Sequence, residues 1–322
     1  MKVSIIMPCY NVANTLIRAL DSIIMQKVSF DYEIIIVDDS STDNTVEVAQ
    51  NYALSHPQVI ILRNEKNSGN AFSYYKGLCA SKGDYFCVLD GDDYYTIPDK
   101  LQRQVDFLDS DIQEEYVGTA TQYIIDLGNN MVSIPERSTY KEFSYTDLLT
   151  QYSGYYHTAT YMYRNIFRGN VPAQIGDVLY RGDTPRTTFH LMYSGKKIKI
   201  LDFVGSAYTF EFGGIWSSLK QKQQFEYQIN YQQQHRNNVT TDFEKAAADR
   251  LIEFNTQKLA VAENDLRRYP EISIDQALKN AETYAAKFAL HLGQHAVIHD
   301  GHTAATRGGR FVQFSRHSDS LS

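Results

Sequence analysis

Asp90-Gly91-Asp92-Asp93 sets three carboxylates within four positions, directly after the apolar run Tyr85-Phe86-Cys87-Val88-Leu89. Such a run reads as a buried strand, so the acids fall at its C-terminal end. Carboxylates this close repel one another, and a fold keeps them where a cation neutralises the charge. Hard oxygen ligands in small number suit Mg²⁺ or Mn²⁺ carrying a substrate phosphate. Taken alone, these residues read more simply as a solvated acidic turn. The rest of the chain favours a metal–diphosphate site.

The elements that would position the acids alternate between strand and helix signals. Val3–Pro8, Glu33–Val37, Val59–Leu62 and Tyr85–Leu89 are short apolar runs. Between them, helical spacing of apolar residues predicts helices over Asn14–Gln26, Asn44–Ser55 and Ala71–Ser81, with Ser41-Thr42-Asp43 as N-cap chemistry for the second. On that reading Ser40, Ser41 and Asp43 cap the helix and do nothing else. Buried strands joined by helices predict an α/β fold with a mostly parallel sheet covered on both faces. Ligands of such sheets bind outside the carboxyl ends of the strands. Cys9-Tyr10-Asn11, Asp38-Asp39-Ser40, Asn64–Gly69 and Asp90–Asp93 all lie there, so four polar strand ends converge on one crevice.

The tyrosine-rich middle third predicts strands at Tyr116–Ile125 and Lys197–Phe203 and helices near Ser144–Gln151 and Thr187–Ser194. Beyond Trp216, the segments Lys220–His235, Asp242–Glu263 and Ile274–Leu292 read as helices, and the Gly/Ser/Thr/Arg-rich stretch from Gly301 as a poorly ordered tail. The 322 residues carry a formal net charge of −7, which argues against a broad nucleic-acid-binding face. No window reaches the roughly 20 apolar residues of a membrane span, and Met1-Lys2-Val3-Ser4-Ile5 is no signal-peptide core. Cys9, Cys79 and Cys87 lack metal-ligand spacing and leave at least one thiol unpaired. A cytoplasmic setting is expected, extending to a peripheral place at the inner face of the membrane. His291, His295, His299 and His302 recur near one helical turn, but Gly301 and the polar tail favour a solvated end over a metal site.

The first 215 or so positions resemble glycosyltransferase family two, whose members adopt the nucleotide-sugar-binding GT-A fold. Four motifs carry the likeness in order: Ser4-Ile5-Ile6-Met7-Pro8-Cys9-Tyr10-Asn11, Val37-Asp38-Asp39-Ser40-Ser41-Thr42-Asp43-Asn44-Thr45, the DXD-type Leu89-Asp90-Gly91-Asp92-Asp93, and the block from Gly182-Asp183-Thr184-Pro185 to Gly195-Lys196-Lys197-Ile198. The resemblance implies a catalytic domain over 1–215, with a nucleotide-binding half (1–112) and an acceptor half (113–215), followed by a helical extension over 216–322. It implies that Tyr10 stacks on the nucleobase, that the Pro8 backbone and Asp39 hydrogen-bond the base, and that Asp90 binds the ribose. Asp92 would ligate Mn²⁺ or Mg²⁺, Asp93 would orient the sugar or the metal shell, and Asp183 would be the catalytic base. Asp177, in Ile175-Gly176-Asp177, competes with Asp183 because the usual Gly-Glu-Asp reads Arg181-Gly182-Asp183 here. A second departure lies in Ser73-Tyr74-Tyr75-Lys76-Gly77, where the family's Ala-Arg-Asn-x-Gly pattern puts a nucleotide-holding arginine at the place of Tyr74. Lys76 and Arg63 are the nearby basic residues.

The implied activity is inverting, metal-dependent transfer from a nucleoside-diphosphate sugar, UDP-linked by family default, to a hydroxyl of a glycan or lipid-linked glycan in surface polysaccharide or glycoconjugate synthesis. Tyr152, Tyr155, Tyr156 and His157 are candidate sugar platforms, and the segment Phe210–Ser218 with Trp216 is either a donor cover or an anchor for the C-terminal helices. Those helices suggest self-association. The competing readings are a nucleotide-sugar-binding scaffold without turnover and a sugar nucleotidyltransferase, which would need a basic, glycine-rich phosphate loop where Cys9-Tyr10-Asn11-Val12-Ala13 stands. A dinucleotide-dependent dehydrogenase is disfavoured because no Gly-x-Gly-x-x-Gly follows the first strand.

Overall fold

The apolar runs of the first ninety residues form β1 (Val3–Cys9), β2 (Tyr32–Asp38), β3 (Val59–Arg63) and β4 (Tyr85–Val88). They lie side by side, all parallel, in the order β3-β2-β1-β4. Parallel neighbours need crossovers, here α1 (Leu16–Ile24), α2 (Thr45–Ala53) and α3 (Asn70–Ala80). Every residue of β1 is buried, and its side chains alternate between two cores as the strand period requires. Val3, Ile5 and Met7 pack with α1, with Ala49 of α2 and with α4 (Lys100–Ser110). Ile6 faces the opposite way, toward Tyr74 and Leu78 of α3 and toward α6 (Asp183–Ser194). This is a computed structural model, and it describes residues 1–128, 131–134, 141–151, 156–177, 182–210, 221–268 and 310–313.

The second half extends the sheet with mixed polarity. Strand β9 (Met162–Arg164) runs antiparallel between β4 and β6 (Tyr116–Asp126), and β6 pairs in parallel with β10 (Lys197–Thr209). Strand β10 also pairs antiparallel with β5 (Tyr94–Tyr95) and β8 (Glu142–Ser144), while β7 (Met131–Ile134) joins β6 to β11 (Arg310–Gln313). The sheet thus has a parallel N-terminal half and a mixed remainder. The apolar signal of β10 ends near Phe203, but the strand runs six residues further because β5 and β6 supply ladder partners, with bulges at Leu201/Val204 and Val204/Ser206.

Helix α6 begins at Asp183 rather than at the expected Thr187. Pro185 falls in its first turn, where an amide hydrogen has no intrahelical acceptor and proline is tolerated. Helices α5 (Tyr145–Gln151), α7 (Gln221–Asn238) and α8 (Asp242–Arg268) match expected segments, with α7 and α8 packed together and α8 against α5. Among the described residues no helix is long and apolar enough to cross a membrane. The expected helix over Ile274–Leu292, the histidines His291, His295, His299 and His302, Trp216 with its loop, and Tyr152 and Tyr155 lie outside the described residues.

Candidate active site

The turns after β1 and β2 are zipped together by side chains. Asn11 and Ser40 adopt left-handed backbone (φ 54 and φ 62). The amides of Asn11, Val12 and Ala13 donate to Ser41 Oγ (3.0 Å), Thr45 Oγ1 (2.9 Å) and Asp43 Oδ2 (3.1 Å), and Asn11 Oδ1 accepts from the Thr42 amide (2.8 Å). The expectation that Ser41 and Asp43 serve only as helix caps is therefore corrected. The N-cap of α2 is Asn44, which makes no side-chain cap bond. Asp43 Oδ1 does accept from the Thr45 amide (3.0 Å) at the start of α2, but Ser41 Oγ, Thr45 Oγ1 and Asp43 Oδ2 also serve the neighbouring turn, because parallel pairing of β1 with β2 brings both strand ends to one place. Tyr10, at the tip of this structure, is 45% exposed, and Pro8 is buried within β1.

Of the acid pair, Asp38 is an internal strut. It is buried, pairs with Arg63 Nε at 3.2 Å and accepts from the Ser41 amide. Asp39 accepts from Asn64 Nδ2 and the Ser68 amide on Oδ1 (2.8 Å each) and from the Gly69 amide on Oδ2 (2.7 Å), so it pins the loop into α3. Gly69 has φ 88, a conformation glycine adopts without strain. Three donors leave one lone-pair direction of Oδ2 for a further donor, by the inventory of a carboxylate.

The acids of the third motif are held from three sides. A Cβ on Gly91 would come within 2.7 Å of Val12 Cγ2 and 3.0 Å of Cys9 Sγ, so the acidic loop lies tight against the β1 turn. Asp93 is 1% exposed, accepts from the Thr209 amide (2.9 Å) and faces His157 Nε2 at 3.5 Å. The Asp92 carbonyl accepts from Arg18 Nη2 (2.8 Å) and Thr209 Oγ1 (2.5 Å). Partly buried Asp90 accepts from Asn70 Nδ2 at 3.4 Å. Burial, then the charges of Asp92 and Asp90, push the Asp93 carboxyl well above the ordinary range. Burial also raises Asp90, opposed by Arg186 and His157. Cys9, raised by burial and by Asp90, Asp92 and Asp38, is an inert thiol.

Asp183 opens α6 from the other half of the chain, after Gly182 at φ 97. An acid in the first turn is favoured by the helix dipole. Its Oδ1 accepts from Thr158 Oγ1, and its charge is felt by both Asp90 and Asp93. Asp177 instead follows a 3-10 turn (Ala173–Gly176) packed against Tyr75 of α3. The geometry brings together Asp90, Asp92, Asp93 and Asp183. Of the expected platforms, Tyr156 is in the core, stacked on Phe143, while the His157 ring meets that of Tyr208 at a tilt (centroids 4.6 Å apart) beside the acids.

Sequence reasoning missed Arg18, Asn70, Thr158 and Thr209, which orient the acids from separate elements and carry no local motif. Arg186 entered that reasoning only as a spacing mark for Asp183, with no role of its own. The guanidinium of Arg186 lies over the Tyr74 ring, 4.5 Å from its centroid. The basic residues near Tyr74 are engaged elsewhere: Lys76 Nζ donates to the Arg63 carbonyl (2.6 Å) and Asn64 Oδ1 (3.1 Å), and Arg63 pairs with Asp38.

A divalent cation fits this chemistry. The groups are hard oxygens, and Asp90, Asp92 and Asp93 set several carboxylates at one strand end, the donor set that suits Mn²⁺ or Mg²⁺. Among the described residues no group of three or more His, Cys, Asp or Glu side chains forms a self-sufficient metal cage.

The family model for glycosyl transferase family 2 matches residues 4–168. An uncharacterised protein of Mycobacterium tuberculosis is 29% identical over 219 residues, 67% of this chain and 60% of that protein. The chain thus covers less than two thirds of that relative's length. S. aureus TarS 1-349, solved with UDP-GlcNAc, superposes with a TM-score of 0.57 at 17% identity, covering 98% of this chain and 99% of that one. The mannosyltransferase PcManGT of Pyrobaculum calidifontis, solved with GDP-Man and Mn²⁺, gives a TM-score of 0.57 at 16% identity over 90% of this chain and 80% of that one. At such identities these likenesses speak for the GT-A fold. With the family model covering half of the chain and its motifs gathered at one crevice, the protein belongs to glycosyl transferase family 2.

Proposed function

We propose that this chain is an inverting, metal-dependent glycosyltransferase that moves a sugar from a nucleoside-diphosphate sugar, UDP-linked, to a hydroxyl of a glycan or lipid-linked glycan in surface polysaccharide or glycoconjugate synthesis. The observation that carries this reading is the meeting of Asp183, at the start of α6, with the Asp90–Asp93 loop at the end of β4. An acceptor-side acid then faces donor-side acids across one crevice. The nucleotide sugars bound to the two solved neighbours, and the Mn²⁺ of one, support a nucleotide-sugar donor and a divalent ion.

In this reading Tyr10 stacks on the base, the Pro8 backbone and the remaining Oδ2 lone pair of Asp39 bind its edge, and Asp90 takes the ribose hydroxyls. Asp92 holds Mn²⁺ or Mg²⁺ and Asp93 orients the sugar or the metal shell. When bound, the ion neutralises charge on the departing diphosphate. Asp183 accepts the proton of the acceptor hydroxyl as its oxygen bonds to the anomeric carbon. The bond from that carbon to the diphosphate oxygen breaks on the opposite face, so configuration inverts and the nucleoside diphosphate leaves. A carboxylate is a weak base for an alcohol, so it acts within the transition state, worth ~10²–10⁴-fold. We assign catalysis to residues 1–215 and self-association to the helices beyond 216.

Donor turnover by the wild-type chain and Asp183→Asn, with UDP binding followed in parallel, tests the reading. Release of UDP should require Mn²⁺ or Mg²⁺, and the variant should lose ~10²–10⁴-fold in kcat at unchanged UDP affinity. Undiminished turnover in the variant removes Asp183 as base. A wild-type chain that neither UDP nor GDP stabilises with metal present removes the donor site.

A further inference from the structure

Arg186 is 4% exposed and lies one helical turn from Asp183 along α6. Of its donors, Nη2 is engaged, to the side-chain and main-chain oxygens of Asn70. Nε is buried with no acceptor, and among the described residues no carboxylate forms an ion pair with the guanidinium. A buried charge without a counter-ion is costly, and a fold retains one where an anion arrives. The planar, forked guanidinium suits phosphate oxygens.

The surroundings aim this cation at the crevice. Tyr74 is fully buried beneath the guanidinium, with its hydroxyl 2.7 Å from Nε2 of His190, the next residue but three on the same face of α6. Asn70 links Arg186 to Asp90, since its Nδ2 donates to Asp90 Oδ1 while its carbonyl oxygen accepts from Arg186. Asn70 and Tyr74 on α3 thus meet Arg186 and His190 on α6, each pair spaced i, i+4. The cation stands beside the acids without pairing with any of them.

We propose that Arg186 is the cation that receives the phosphates of the donor, with Tyr74 as the shelf that holds its guanidinium flat. The proposal rests on the donor reading above. It places a phosphate contact on the helix that carries the candidate base, so donor binding and base placement are coupled through one helical turn.

The test compares UDP with uridine, and GDP with guanosine, by calorimetric titration of the full chain with Mn²⁺. Arg186→Gln should weaken the diphosphate that binds by roughly 10- to 100-fold, the range of a charged hydrogen-bonding contact. Affinity for the parent nucleoside should change by less than about twofold. Arg186→Lys, which keeps the buried charge and guards against a folding defect in the glutamine variant, should retain part of the diphosphate preference. Equal losses for diphosphate and nucleoside in both variants, or no loss in either, overturn the phosphate contact and leave Arg186 as a tether. Failure of the wild-type chain to bind either diphosphate overturns the donor reading instead, and the proposal with it.

Discussion

Asp93 carries the least comfortable charge of the site. It is almost fully buried beside Asp90 and Asp92, and its hydrogen bond to the Thr209 amide does not offset burial and repulsion. Because its folded proton affinity is raised, the native chain takes up a proton at a pH where the unfolded carboxyl is ionised. The favourable contribution is complete below the ordinary carboxylate range and is lost as pH rises through the raised folded value. At neutral pH, where the unfolded carboxyl is ionised, Asp93 therefore disfavours folding in metal-free protein. Asp93→Asn should raise stability in EDTA at pH 7, on the order of 0.5–2 kcal/mol, while lowering transfer activity. Urea titration of both chains decides it, and a variant no more stable than the parent contradicts the account. The acids themselves were legible from residue types and spacing. Their orienting partners were not, because Arg18, Asn70, Thr158 and Thr209 lie up to 117 positions away from the groups they hold.

Among the elements, α4 contains a lysine with nowhere to hydrate. Lys100 is fully buried, donates to Gln104 Oε1 at 2.8 Å and sits over the Tyr95 ring at 4.2 Å. Burial lowers its pKa to about 8. The unfolded chain then holds more protons than the native one between about pH 8 and the ordinary lysine value, so stability from this group rises with pH across that window. Lys100→Met should flatten the rise, a difference of about 1.4 kcal/mol per pH unit at most, in chemical denaturation between pH 8 and pH 10. An unchanged slope rules the lysine out as its source. Element positions were largely legible because β1 to β4 and their helices carry dense apolar periodicity. Two of the displaced bounds have local causes: α6 tolerates Pro185 in its first turn, and β10 continues on ladder partners that its own side chains do not announce.

Across the whole molecule, α3 and α6 come from opposite halves of the chain and are joined through Tyr74 and His190. Burial, then the charge of Arg186, lowers the His190 pKa to about 3, so the imidazole stays neutral in the native state. The unfolded chain binds the extra proton below about pH 6.5, and stability is lost as pH falls from there toward 3. Replacing His190 with Gln, which keeps a polar group near the Tyr74 hydroxyl, should remove one proton from that acid dependence, about 1.4 kcal/mol per pH unit at most. Calorimetric melts at pH 7 and pH 5 measure it. If the variant and the parent lose stability equally, the histidine does not join the halves in the way inferred.

The amino-acid sequence by itself determined the four parallel strands and the acidic motif at the end of β4, because periodicity and residue type act over a few neighbouring positions. Its resemblance to the family's acceptor-side block pointed to Asp183. Tertiary structure alone decided that Asp38 braces a turn while Asp39 pins the loop into α3, since both acids look alike in a strand-end pair. It likewise decided what stands at Tyr74. A missing arginine reads as a deficit when only α3 is considered, yet the packing of α6 on the same face of the sheet lays Arg186 over that ring. Charge in a buried site is set by what the whole fold brings within a few ångströms, and chain neighbours are only part of that company.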